Sequence, residues 1–145
     1  MISTFTDNSK NFRAPKGFRL GDLSKEHSIK INAVWPHRSE GSEKFIEYLI
    51  ENNAHVGLFD KATGELVAWC FQHDFGSLAI LQVDENYFRK GYGEVVTRAI
   101  TRKIAAEFNV DITSNIIVNN EKSLNLFTKL GFIDVENTYW IGVQC

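Results

Sequence analysis

Two cations and two glycines stand together in the segment VDENYFRKGYG (Val83 to Gly93), where Arg89, Lys90, Gly91 and Gly93 surround Tyr92. These residue types at this spacing suit the grip of a phosphate or pyrophosphate. The apolar run SLAILQV (Ser77 to Val83) before them reads as a strand, and Val96, Ile100, Ile104 and Phe108 recur every four residues behind them, as on one helix face. A helix start offers unpaired backbone N–H groups and the positive end of its dipole, and glycine lets those donors close on an anion. The fragment alone equally fits a plain tight turn before a helix. Two better-known phosphate loops are missing: there is no GxxxxGK followed by Ser or Thr, and no GxGxxG, because Val96 holds the third glycine's place. A nucleotide site for ATP or NAD is therefore a poor reading.

The elements that would position this loop alternate between strands and helices. Gly17 to Leu20 reads as a short strand, Ser24 as the cap of a helix that runs to about Val34, and Pro36 as its end. A second helix covers Ser42 to Asn52, with Phe45, Ile46, Leu49 and Ile50 on one face. His55 to Asp60, Glu65 to His73 and Ser77 to Val83 form an antiparallel meander joined by the KATG and DFG turns. The loop's helix runs to Asn109, a strand covers Ile112 to Val118, and a helix covers Asn120 to Leu130 with Gly131 as its left-handed cap. Phe132 to Val143 gives one long strand or two short ones. The order predicts an α/β fold: a mixed, mostly antiparallel central sheet with helices on both faces.

Composition narrows the function classes. With 145 residues and 43% hydrophobic content the chain can bury the core of one domain, 17–145, behind a flexible lead-in, 1–16, that can pack as an edge segment. A net charge of -2 gives no reason to expect nucleic acid or an anionic membrane as partner, and no apolar run approaches a membrane span. The N-terminus has no apolar secretory core. Cys70 and Cys145 form neither a disulfide framework nor a metal spacing, which fits a reducing compartment. The expected location is cytoplasmic; the Ser, Thr and Arg of the lead-in leave a mitochondrial reading open, and Asp7 counts against it.

The stretch IIVNNEKSLNLFTKLGF (Ile116 to Phe132) makes a family likeness specific. A strand ending at Val118, Asn120 at a helix start, and the ending Lys129-Leu130-Gly131-Phe132 resemble the last segment of the GNAT superfamily of acyl-CoA-dependent N-acyltransferases. The loop resembles that superfamily's pyrophosphate motif, a Gln or Arg followed two residues later by Gly, any residue, and Gly or Ala, with Gly91 and Gly93 at the small positions and Phe88 at the first. A closer likeness, from Trp69 through the Asp74-Phe75-Gly76 hairpin to Gly93 without gaps, is to the C-terminal catalytic half of glycine N-acyltransferase-like proteins. Those proteins carry a further N-terminal half, so these residues read as a fragment or a short paralogue, and Met1 fits both. The superfamily likeness covers roughly Gly17 to Val143.

The resemblance implies a site. The Ser77 to Val83 strand would bulge and splay from Ile112 to Val118, opening a cleft for the pantetheine arm of acetyl-CoA or another acyl-CoA, without a metal. Leu81, Gln82 and Val83 would bond its amides by backbone, and Arg89, Lys90, Gly91, Tyr92 and Gly93 would hold the pyrophosphate. Asn120, Ser123 and Phe127 would complete the cofactor side, Asn120 being both a helix cap and a ligand on this reading. Many members use a tyrosine in the last helix as general acid, where this chain has Phe127; the glycine N-acyltransferases use a glutamate just after the hairpin glycine, where it has Ser77. His73, whose ring type titrates near neutrality, is the candidate base, against a plain solvent-facing histidine; Ser77 is a candidate for positioning water. Asp74 and Glu85 offer water-mediated alternatives, and Cys70 reads as packing. Trp35, His37, Trp69 and Trp140 are the candidate acceptor-pocket walls. Neither a carboxylate cluster for polyamines nor a lone arginine for a carboxylate-bearing acceptor stands out. The expected activity is transfer of an acyl group, acetyl in the first place, to the amine of a small molecule or amino acid. The alternative is a catalytically weak acyl-CoA-binding or protein-interaction domain of the same fold.

Overall fold

The computed structural model of the chain describes residues 2–3, 12–135 and 139. In chain order the elements are β1 (Ile2–Ser3), β2 (Phe18–Gly21), α1 (His27–Val34), α2 (Ser42–Asn52), β3 (His55–Asp60), β4 (Leu66–Gln72), β5 (Ser77–Val83), α3 (Tyr92–Phe108), β6 (Ile112–Ser114) and α4 (Glu121–Lys129). The sheet order is β1-β6-β5-β4-β3-β2, antiparallel throughout except for the parallel β5–β6 pair. Within the lead-in, β1 forms the edge beside β6.

Side-chain alternation along the central strands builds two cores. Trp69 and Phe71 of β4 pack with Ile31 of α1 and Ile46 and Leu49 of α2 on one face. Ala68 and Cys70 of the same strand pack with Val96, Ile100 and Ile104 of α3 and Phe127 of α4 on the other. Apolar residues at helical spacing make those contacts possible, and the threonines on α3's inward face satisfy their hydroxyls locally: Thr97 Oγ1 donates to the Gly93 carbonyl at 2.7 Å and Thr101 Oγ1 to that of Arg98 at 2.9 Å. At Gly57 the central sheet leaves no room for a side chain, since a Cβ there would stand 2.8 Å from a Leu23 methyl.

The local signals place most boundaries within a residue or two, and two differ for physical reasons. Ser24 does not cap α1. Its carbonyl accepts from the His27 N–H and its own N–H donates to His27 Nδ1 at 2.9 Å, so it closes a turn ahead of a helix that begins at His27. The strand expected over Ile112 to Val118 ends at Ser114, because β5 turns away and the β5–β6 ladder stops at the Leu78↔Ser114 pair. The expected tail strand falls largely on residues 136–138 and 140–145, outside the described residues.

The turning away of β5 originates in a bulge. Phe71 of β4 is paired with Ala79 and Trp69 with Gln82, so three steps on β5 oppose two on β4. The extra residue is absorbed at Ile80, whose φ of 51° lies in the left-handed region that a β-branched side chain rarely enters. Strain of this kind costs on the order of 1–3 kcal/mol and persists where surrounding packing fixes it; Ile80 is held against the Trp69–Phe71 core.

Candidate functional site

Among the described residues, β5 has no strand beside it on the β6 side beyond Leu78: the parallel pair consists of Ser77↔Thr113 and Leu78↔Ser114. The splay opens a cleft of about 820 Å³, lined from α1 by Lys30 and Val34, from the sheet by Trp69, Leu81, Gln82 and Val83, and from α4 by Asn125, Leu126 and Lys129. Since α1 and α4 lie on opposite faces of the sheet, the cleft passes through the sheet. The Asp84 N–H donates to the Val67 carbonyl at 2.8 Å, so strand alternation turns the Leu81 and Val83 amides to the unpaired side.

At one end of the cleft the backbone is shaped into a cradle. Asp84 accepts from the Asn86 N–H at 3.0 Å and starts a 3-10 turn, Glu85–Tyr87. Arg89 at φ 62° and Gly91 at φ 79° then fold the chain into α3. Gly91 is the N-cap and brings no side chain to bond the first-turn N–H groups, so those donors stay open where Gly91, Tyr92, Gly93 and Glu94 line the cleft. Arg89, Lys122 and Lys129 add cationic lining. Glu94 is held below the ordinary carboxylate range by hydrogen bonding from Lys129 at 2.8 Å, with a further contribution from Arg98 at 3.1 Å. Asp84 is likewise held low, chiefly by hydrogen bonding from Lys30 at 2.7 Å. Tyr87, a hydroxyl that sequence reading passes over, donates to Asp60 at 3.2 Å and its pKa is pushed up by burial first.

Asn120 caps α4 by accepting from the Ser123 N–H at 3.2 Å, and both residues line the cleft. The helix ends in a Schellman cap: Phe132 N–H bonds the Phe127 carbonyl and Gly131 N–H that of Thr128, each at 3.0 Å, with Gly131 at φ 91°. Phe127 and Phe132 meet edge to face at 5.0 Å. Phe127 is thus the apolar clasp of this cap, 4% exposed in the core, and not part of the cleft lining where the resemblance puts it.

Of the other candidates, Leu81, Gln82, Val83, Arg89, Gly91, Tyr92, Gly93 and Trp69 line the cleft. Lys90 is exposed beside it. Ser77 is buried; its hydroxyl accepts from Thr113 Oγ1 at 3.1 Å and Asn115 Nδ2 at 3.4 Å, tying β5 to β6, so it does not stand in the cleft to position water. His73 is also elsewhere. Its ring lies 4.0 Å from that of Phe75 and 5.7 Å from that of Phe45, and it lines a second cavity of about 300 Å³ with Asn52, Asn53, Asp74 and Phe108. Trp35 stacks on Phe45 at 6.1 Å, and His37 is exposed against Trp35 at 6.2 Å; neither lines the main cleft. Trp140 lies outside the described residues. Cys70 is fully buried and its thiol is pushed up to about 12 by that burial, which suits packing. Lys30 and Val34 carry no sequence signal, because they reach the cleft only through the packing of α1 over the sheet.

Among the described residues no group of three or more His, Cys, Asp and Glu is placed to hold a metal, and no helix is long and apolar enough to cross a membrane. The arrangement can bind an anion at the α3 start and lay an extended amide chain along β5.

Comparisons place this geometry among known proteins. No curated protein matches the chain. A solved Drosophila protein is 31% identical over 89% of this chain with a TM-score of 0.77, and the chain spans 41% of that protein's length. The aminoglycoside 6'-N-acetyltransferase AAC(6')-Ih of Acinetobacter baumannii is 16% identical, with a TM-score of 0.69 over 89% of this chain and 99% of its own. AAC(6')-Iy, solved with a bisubstrate analogue that joins CoA to acetylneamine, is 14% identical with the same TM-score, over 88% and 99%. These likenesses give the fold as that of the GNAT acetyltransferases. The family model for FR47-like protein matches residues 55–141, more than half of the chain, and on that match the chain belongs to the FR47-like family.

Proposed function

We propose that the protein is an acyl-CoA-dependent N-acyltransferase that moves an acyl group, acetyl in the first place, to the amine of a small molecule or amino acid within a ternary complex. The observation that carries this reading is the cleft through the sheet with a glycine cradle at its end. The α3 amides, Arg89 and Lys122 would hold the pyrophosphate. Pantetheine amides would pair with the outward-turned Leu81 and Val83 as a substitute strand, bringing the thioester toward the bulge at Ile80. Similar folds support the class, since they include aminoglycoside 6'-N-acetyltransferases, one of them solved with a CoA bisubstrate analogue. The closer kinship to glycine N-acyltransferase-like proteins, one acyltransferase unit over 17–145 and a cytoplasmic location belong to the same proposal.

The chemistry rests on placement. Of the cleft carboxylates, Asp84 and Glu94 are engaged by cations and the Tyr87 hydroxyl by Asp60, so an acceptor ammonium would lose its proton to solvent in the open cleft, directly or by way of the exposed Glu85 carboxylate at its lining. Positioning of two reactants alone accelerates strongly.

The test is to mix the protein with acetyl-CoA, longer acyl-CoAs and a panel of amines and to follow thiol release. Amine-dependent release is expected. Tight acyl-CoA binding with no such release across the panel overturns the enzyme reading in favour of a catalytically weak acyl-CoA-binding domain of the same fold.

A further inference from the structure

Two buried polar atoms in the cleft wall have no partner among the described residues, and they belong to neighbouring side chains. Trp69 and Gln82 are paired across β4 and β5, so their side chains share the α1 face of the sheet. Gln82 Nε2 donates to the Val34 carbonyl at 3.1 Å, which fixes the orientation of its amide. Its Oε1 is then a buried acceptor without a donor, and Trp69 Nε1, in a side chain with no exposure, is a buried donor without an acceptor. Both residues line the cleft. Native proteins rarely leave such atoms unpaired, and an orphan donor beside an orphan acceptor is complementary to one ligand group that offers both.

The face matters. The Leu81 and Val83 side chains pack on the α3 side, while Gln82 and Trp69 look toward α1, so this pair stands on one face of the sheet, out of line with the in-plane amides of the edge assigned to pantetheine. The cation that α1 brings to the cleft is already offset: Lys30 bonds Asp84 at 2.7 Å and Glu65 at 3.1 Å, and also the Leu66 carbonyl. Two carboxylates around one ammonium leave this side of the cleft unwelcoming to a further anion.

Resting on the acyltransferase reading, we propose that Gln82 and Trp69 form the acceptor subsite, and that it selects amines bearing an uncharged oxygen, such as an amino-acid amide, over free amino acids. Gln82 Oε1 accepts from the acceptor's N–H and Trp69 Nε1 donates to its oxygen. The nitrogen lone pair then forms the C–N bond to the thioester carbon, the C–S bond breaks with its electron pair on sulfur, and the proton shed by nitrogen ends on the thiol.

Initial rates with acetyl-CoA and glycinamide, glycine or ethylamine, at matched concentrations of neutral amine, test this. Glycinamide is expected to have the highest kcat/KM. Gln82→Met and Trp69→Phe are each expected to raise the glycinamide KM about threefold to tenfold, the loss of one neutral hydrogen bond, with the acetyl-CoA KM unchanged. Should Trp69→Phe fail to fold, Gln82→Met at the cleft rim decides alone, with acetyl-CoA binding as its folding check. Glycine outperforming glycinamide, or variants with unchanged glycinamide KM, overturns the subsite while the acyltransferase stands. A rise in acetyl-CoA KM reassigns the pair to the cofactor and overturns it too. Thiol release with no amine at all removes the acyltransferase reading itself, and this subsite with it.

Discussion

Ser77 shows how a residue at a catalytic address can hold a structural job. Its hydroxyl bonds Thr113 across one of the two register positions where β5 and β6 run in parallel among the described residues, just before the strands part. Ser77→Ala removes both hydrogen bonds and is expected to cost about 1–2 kcal/mol in urea unfolding while kcat stays within about twofold. Phe127 is equally committed, since its contact with Phe132 closes the α4 cap. With neither residue in the cleft and His73 in another cavity, the pH dependence of kcat/KM should follow the acceptor amine. The alkaline rise is expected to shift when a less basic amine replaces a more basic one, and His73→Ala should leave it where it was. A rise that keeps its position for both amines and disappears in His73→Ala restores the histidine as base. The family likeness singled out Ser77 and Phe127 as positions to weigh, but where these side chains stand depends on neighbours distant in the chain: Thr113 and Asn115 for Ser77, and likewise Phe45 for His73.

The elements were legible wherever their signals are local. Strands β3 to β5 alternate or run apolar between turn residues, α2 has a single apolar face, and Asn120 and Gly131 mark the ends of α4 by side-chain bonding and backbone permissiveness. The start of α1 was misread because Ser24 had a competing partner in His27, and β6 was overextended because its length depends on where β5 bends. Least legible was the α1 wall of the cleft, which only packing creates. One bond of that wall is open to measurement. The Asp84 carboxylate, at the end of β5, is tied to Lys30 of α1 and held below its ordinary value of 3.8. A depressed carboxylate contributes stability that is full above its unfolded pKa and lost as pH falls through the folded one. Asp84→Asn should therefore be less stable than the native protein at pH 7 and should lose less stability from about pH 4 to pH 3. Urea midpoints across that range would show parallel curves if the ion pair contributes nothing.

For the molecule as a whole, the decisive property is a sheet left incomplete at its centre. The fold class follows from the order of elements, but the cleft through the sheet follows from one extra residue at Ile80, which no periodicity announces. A ligand that binds the native state alone stabilises it by mass action, so saturating acyl-CoA is expected to raise the unfolding temperature. Its backbone contacts would leave a sharper record in time. Amides without a partner exchange their hydrogens with solvent quickly, and those locked in a ladder exchange slowly. In the free protein the Leu81 and Val83 amides should exchange far faster than that of Gln82, which faces β4. Acetyl-CoA should slow the first two and leave Gln82 nearly unchanged, as read by deuterium uptake; equal slowing along β5 would mean general tightening. The open edge of β5 thus turns occupancy of the cleft into a clock carried by two backbone nitrogens.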